Sequence, residues 1–404
     1  MRLLAITAVI LPMACSDVSP AAFQAIDSAG VIIATSDCPL WADGHGWTID
    51  SVPLLSIGEV GGDPRYTLDR VFWPQRLTDG RIVVPNTRGG TLKIYNAAGQ
   101  YVTELGRQGE GPGEFSFIGH VAADPHDTIR VYDVDLNRIT IFAPDGRLAR
   151  TVRIEMTGYY YGVMVGWFAN GAFALTRTSD RALSAYRGDW RDTLDLEWHA
   201  ADGSVIGRAG VWGGIRRFTT PDGRRFVHPF TPRFMAASSR QEAALGDGYG
   251  SHVKVVGPCG QLRQVLRWNM AVSELTDAQY REFAATVAAL FPEEELPVYL
   301  RALAESPETR RVPQYAALLW DALGNLWVRQ YDWLQDSNWI DQGYRGTTGP
   351  GTWWVFDAEG RWLGSVPTPD RLDVSVIGQD YVLGVHRDSL DVERVRMYRL
   401  TRGS

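Results

Sequence analysis

The sequence predicts an all-β fold, a six-bladed β-propeller with a small helical insertion at about residues 274–306. Three observations predict it. A unit of two β-rich runs bounded by polar, Gly-containing turns recurs along the chain. The 404 residues include 42 Gly and 15 Trp, which suits many tight turns and large flat side chains held between sheets. One stretch alone breaks the strand alternation with a helical period.

The chain starts MRLLAITAVILPMA, with one charge at Arg2 and an apolar run from Leu3 to Ala14. That run is shorter than the roughly 20 residues of a membrane-spanning helix and has the size of a signal-peptide core. Cys15 follows the small Ala14. The segment resembles a bacterial lipoprotein cleavage site, with Pro12 and Met13 standing where an aliphatic and a small residue are commoner. Ser16, rather than an acidic residue, resembles lipoproteins sorted to an outer membrane. The expected organisation is a signal peptide over 1–14, a lipidated tether over 15–25 and the propeller over 26–404, held at the cell envelope and facing the periplasm or the surface. Ordinary secretion and a retained membrane anchor are the alternatives. An oxidising compartment would let Cys38 and Cys259 pair; two separate buried thiols are the other reading.

Two units are plain. LTDGRIVVPNTRGGTLKIYNAAGQYVTELG spans Leu77–Gly106, and ADPHDTIRVYDVDLNRITIFAPDGRLARTVRI spans Ala123–Ile154. They superimpose run for run, and AAG and PDG are turn chemistry. Weaker copies follow, giving six openings at Gly80, Asp127, Gly171, Gly248, Gly324 and Gly378, spaced 47, 44, 77, 76 and 54 residues apart. The short spacings fit a four-stranded blade; the long ones require insertions. In one insertion, Thr276-Asp277-Ala278-Gln279 is a capping-box pattern. Tyr280, Phe283, Val287 and Phe291 then follow at helical spacing, and Pro292 stops the helix. A second short helix is expected over Glu294–Ala304, and the pair could lie over one face of the disc.

DSAGV at 27–31, GRQGEGPGEF at 106–115 and GQDYVLGVHRDSLDVERVRMYRLTR at 378–402 resemble the bacterial six-bladed β-propeller lipoproteins related to NHL-repeat propellers. The resemblance implies six four-stranded blades about a central channel. It also implies ring closure, with GVIIATS at 30–36 adding an N-terminal strand to the last blade and covering its edge.

The charge balance, -7 overall, argues against nucleic acid, which needs a basic face. No GxSxG, HExxH, EF-hand loop or CxxC occurs, so neither cofactor nor metal is expected. The Gly-rich run 106–113 lacks the Lys-Ser/Thr of a phosphate loop and reads as an inter-blade turn. Asp133-Val134-Asp135-Leu136-Asn137 lacks the Gly and Glu of a calcium loop and reads as a polar turn.

The segments before each innermost strand approach the channel mouth. They supply the candidate ligand contacts Arg76, His120, Tyr161, His228, Arg233 and Tyr315, with Gln75 and Gln314 beside them. Convergent polar and aromatic groups from different blades suit recognition of a polar ligand: a small molecule, a glycan or an envelope protein. A hydrolase or lyase using the channel, with or without a divalent metal, and a structural scaffold are the other readings. Most of the Trp residues between 327 and 362 are expected in the core. Trp333 and Trp339 lie in a polar loop and are expected to be exposed.

Overall fold

The computed structural model describes residues 23–403 except 43, 157–158, 180–186, 221–222, 231–232, 291–293, 295, 306–310, 334 and 337–348. The leader, Cys15 and Trp339 therefore lie outside the described residues.

The strands form six radial sheets, each running outward from an inner strand. Blade one holds Gln75–Arg76, Ile82–Asn86, Thr91–Tyr95 and Tyr101–Leu105. Blade two holds Ile118–Ala123, Ile129–Asp133, Arg138–Phe142 and Leu148–Arg153. Blade three has five strands, Tyr159–Trp167, Phe173–Ser179, Gly188–His199, Val205–Thr219 and Arg225–Val227. Blade four starts with Met235–Ser238, Ala243–Gly246, His252–Val256 and Leu262–Trp268. Blade five is Tyr315–Trp320, Leu326–Gln330, Thr352–Phe356 and Trp362–Pro367. Blade six is Leu372–Ile377, Tyr381–Arg387 and Glu393–Thr401.

One turn type drives most of these hairpins. The N–H of Gly80 meets the carbonyl of Leu77, and that of Gly324 meets Asp321, at 3.0 and 3.2 Å. Each glycine has φ near +88°, a conformation that a Cβ disfavours. Asp127 takes the same place in blade two with φ 60°. Thr78 of blade one braces that carboxylate through its backbone N–H at 2.8 Å and its hydroxyl at 2.7 Å.

Six apolar layers separate the six blades, one between each pair of neighbours. The layer between blades six and one joins Leu383, Val385 and Val395 to Ile82, Val84 and Tyr95, so the ring is closed. Each fully buried aliphatic side chain in such a layer contributes about 1.5–3 kcal/mol relative to exposure. Trp327, Trp353, Trp354 and Trp362 all belong to these layers.

Closure differs from the expectation. The outer edge of blade six is covered by Thr48–Ile49 and Leu55–Ile57, which pair with Glu393–Thr401. Val31–Ser36 instead runs parallel to Leu262–Trp268 and extends blade four, with Phe23–Ser28 folded back as a sixth strand. The apolar pattern of VIIATS marks a strand, but it does not say which edge the strand covers. Phe23, Gln24 and Ala25, read as tether, are the first residues of that hairpin.

The phase of blade four was also misread. Its first turn is Ser239–Glu242, closed by the Ser239 N–H on the Glu242 carbonyl at 2.7 Å. Asp247-Gly248 is its second turn.

The two cysteines do not pair. Cys38 follows the end of Val31–Ser36, whereas Cys259 precedes Leu262–Trp268 at the other end of the same sheet. A strand of that length separates them by about 20 Å, and disulfide geometry needs Cα atoms within about 7 Å. Neither thiol is buried: Cys38 is partly accessible and Cys259 is exposed.

The helical insertion is α1 (Asp277–Leu290) and α2 (Leu296–Glu305). Its capping box is present. Gln279 Oε1 accepts the Thr276 N–H at 3.0 Å, and Thr276 Oγ1 accepts the Gln279 N–H at 3.3 Å. Phe283 and Tyr299 are buried against Phe226, Phe230 and Val312. The insertion leaves the outer strand of blade four and returns to the inner strand of blade five. It therefore stands on the face where the inner strands begin, here the entry face.

Candidate functional site

Inner strands from all six blades line a central cavity of about 650 Å3. Its contributors include Gln75, His120, Met164, Ser238, Leu318 and Ser375, one from each blade in turn. The turns at the far end carry ion pairs. Asp124 meets Arg130 at 3.0 Å, and Asp321 meets Arg402 at 2.8 Å. The middle of the cavity is aromatic and uncharged.

His120 sits at that middle, on the inner strand of blade two opposite Tyr132. Its ring lies between two indoles, each 4.9 Å away by centroid: Trp73 from blade one at 32° and Trp167 from blade three at 53°. Burial pushes its pKa down to about 3, because an imidazolium there would lose its water without gaining a counter-charge. The ring is therefore neutral at pH 7. Its Nδ1 is buried and has no hydrogen-bond partner in the protein. A buried polar atom left unpaired opposes folding by about 1–3 kcal/mol, and the residue that carries this one lines the cavity.

The other predicted contacts scatter. Arg76 is on the inner strand of blade one, with its guanidinium 4.7 Å from the Tyr381 ring centroid of blade six. It bridges two blades. Tyr315 is fully buried, donates to the His252 carbonyl at 3.0 Å, and has its pKa raised by burial. Gln314 beside it accepts the Trp268 indole N–H at 3.0 Å and donates to Ser251 Oγ at 2.8 Å. Both tie blade five to blade four.

His228 is not at the channel. It follows the fifth and outermost strand of blade three, buried, with Nε2 3.4 Å from Asp189 Oδ1. Blade three carries one more strand than a regular blade, which moves this segment outward. Arg233 does precede an inner strand, that of blade four. It is partly buried near Tyr331, Arg329 and Asp336, and desolvation lowers its pKa. Tyr161 is on the inner strand of blade three opposite Thr178; its side chain lies outside the described residues. Trp333, expected to be exposed, packs against the helical insertion.

Sequence reasoning missed three features. Trp73 and Trp167 flank His120 from other blades, and no local pattern announces that contact. Arg329 is the third. It is buried in an otherwise apolar strand, and Asp336 accepts from it with both oxygens, at 3.0 and 2.5 Å. A charged residue inside the run LWVRQ was the available signal.

A second buried polar group lies between blades two and three. Arg177 is 2.8 Å from Glu197 Oε2, and Arg208 is 3.1 Å from Oε1. Arg177 also donates to the Glu155 carbonyl. His199 stacks on Phe173 at 4.8 Å and 4°. Its Nδ1 is 2.9 Å from the Gly203 carbonyl and its Nε2 is 3.5 Å from Arg177. Glu197 Oε2 also lies 3.3 Å from Nε2, so both ring nitrogens face polar groups of the protein. Burial lowers the His199 pKa as well.

The Gly-rich run is the turn from blade one to blade two. Gly109 donates to the Phe115 carbonyl at 3.1 Å, and Arg138 donates to the carbonyls of Glu110 and Glu114. A Cβ on Gly109 would fall 2.2 Å from Glu114 Oε2. The 133–137 segment is likewise a turn, since the buried Asp133 carboxylate accepts the N–H groups of Ser116 and Leu136. Among the described residues, no three His, Cys, Asp or Glu side chains are grouped as they would be around a metal ion.

A family model described as a 6-bladed beta-propeller matches residues 75–160, which are blades one and two and the start of three. A member of the DUF4221 family from Bacteroides vulgatus is similar in shape at 9% identity, with 89% of this chain and 99% of that chain covered and a TM-score of 0.51. A Bacteroides fragilis protein described as exported has 10% identity, coverage of 92% and 100%, and a TM-score of 0.48. Virginiamycin B lyase from Staphylococcus aureus has 9% identity, coverage of 82% and 94%, and a TM-score of 0.38. No curated protein matches the chain. What these similarities share with the chain is the propeller fold.

Proposed function

We propose that this chain is an exported, membrane-tethered propeller whose channel binds a small uncharged molecule, without catalysis. The observation that carries the reading is His120, a neutral imidazole between Trp73 and Trp167 with a buried, unpartnered Nδ1. A ligand with a flat apolar face and a hydroxyl or amide donor complements that group. Sugars and short peptides have this character. A histidine held near pKa 3 is a poor general base at neutral pH, which favours binding over proton transfer. The tether is Cys15 behind its apolar leader, with the outer membrane as the expected address.

Indole fluorescence tests the site, because two tryptophans flank it. Titration with monosaccharides, disaccharides and blocked dipeptides should give a saturable change that His120→Phe abolishes. Hydrolysis or elimination of a lactone or ester probe, lost in the same variant, would replace the binding reading with a catalytic one. So would stoichiometric calcium or zinc in the purified protein. No His120-dependent response to any probe would leave the scaffold reading. For the address, mass spectrometry should find a diacylglyceryl group on Cys15, and Cys15→Ser should release the protein from membranes.

A further inference from the structure

A second cleft, of about 600 Å3, opens on blade four beside the N-terminal hairpin. Its floor follows from strand register. His252, Arg267 and Thr35 lie side by side across three adjacent strands, and Lys254, Val265 and Ile33 form the next row on the same face. The opposite face, with Val253, Leu266 and Ala34, is buried against blade five. Nearer the channel, Leu245 and Val256 are covered by Leu196 and Trp198 of blade three. Farther out the two blades part, and the cationic rows are left facing the gap.

Many surface arginines are matched to nearby carboxylates, as in Arg81–Asp79, Arg147–Asp145 and Arg361–Asp357. Among the described residues, neither Lys254 nor Arg267 has such a partner. Lys254 is instead held with its Nζ 5.5 Å from the Trp212 ring centroid, a contact that fixes an ammonium without neutralising it. His252 is partly buried, and burial lowers its pKa; the Asp247 carboxylate opposes that shift, and Lys254 and Arg267 add to it. Thr35 and Asn269 add a hydroxyl and an amide to the lining, whereas the Ser251 hydroxyl already donates to the Met270 carbonyl. Asp37 is the single carboxylate on the lining and is exposed.

We propose that this cleft is an anion site for a phosphate-bearing group, gripped by Arg267 and Lys254 with His252 as a third donor. Neighbouring strands place these side chains within about 5–8 Å of one another at the backbone. That spacing lets a guanidinium fork and an ammonium converge on one tetrahedral oxyanion. The site is independent of the channel. Its phosphate is either free or on a lipid headgroup. Phe23 pairs with Ser36 at this end of the hairpin, so residues 16–22, which reach at most about 25 Å, would bring a lipidated Cys15 near the same rim.

The test uses the full chain with Cys15→Ser, so that no attached lipid contributes. Calorimetric titration with inorganic phosphate should show one site. The double variant Lys254→Gln with Arg267→Gln should weaken it at least tenfold with an unchanged melting temperature, and Asp37→Asn should tighten it a few-fold. Flotation with phosphatidylglycerol vesicles, but not phosphatidylcholine vesicles, lost in the double variant and competed by phosphate, assigns a headgroup. Phosphate binding without flotation assigns the free ion. The proposal is overturned if neither probe responds to the double variant, or if Asp37→Asn leaves both unchanged.

Discussion

Blades two and three meet around two histidines, one buried and one half-buried on the channel, and the two are used in opposite ways. His199 has both ring nitrogens engaged, by Gly203 and Arg177, and stacks flat on Phe173. His120, at the channel end of the same pair of blades, has two tilted indoles and an Nδ1 with no partner. Burial lowers the pKa of both. A depressed pKa is therefore common to both, and what differs is the hydrogen bonding of the ring nitrogens.

The largest expected effect tests the satisfied side. Glu197 is fully buried and faces two arginines. Glu197→Ala leaves buried positive charge uncompensated and should destabilise the protein by about 3–5 kcal/mol, read from urea unfolding. Next, His199→Phe should lose about 2 kcal/mol, because the Gly203 carbonyl and Arg177 lose a partner. His120→Phe should go the other way, stabilising by about 1 kcal/mol, since it removes an unpaired polar atom and keeps a ring between the tryptophans. If the two Phe variants shift stability in the same direction, the contrast between the histidines fails.

Acid provides the next test. The folded His120 pKa, about 3, lies below the unfolded value of about 6.5. The unfolded chain thus binds more protons between those values, and stability present above pH 6.5 is lost as pH falls toward 3. Between pH 7 and 5.5 this amounts to about 1 kcal/mol from His120. Melting curves at the two pH values should show the wild-type decline reduced by that amount in His120→Phe. The smallest effect should come from Arg208→Gln. Its side chain is 67% exposed, so solvent screens the pair and the loss should stay below about 1 kcal/mol.

Much of the ring was legible in the chain. Blades one, two, five and six advertise themselves by a Gly or Asp turn between alternating runs. Blade four does not. Its inner strand is four small residues, MAAS, and its first turn, Ser239-Arg240-Gln241-Glu242, lacks Gly. The Gly turn that its sequence does display, Asp247-Gly248, is the second one of the blade. Blade three hides behind strands of 12 and 15 residues and a fifth strand, which displaced the placement of His228. His120 was visible as a polar residue before a strand. Its tryptophans were not, because Trp73, His120 and Trp167 meet only once three blades are side by side. The parallel hairpin on blade four was equally hidden, since edge choice is a property of the assembled ring.

That edge choice has a consequence in time. Val31–Ser36 pairs with a strand more than 200 residues later, and Leu55–Ile57 with one more than 300 residues later. A chain made from its N-terminus therefore delivers these segments long before their partners. Contacts of such sequence separation form slowly, after the local hairpins. Val31–Ser36 stays bare until blade four is made and Leu55–Ile57 until the final strand is, so the growing chain carries unpaired apolar edge strands through most of its synthesis.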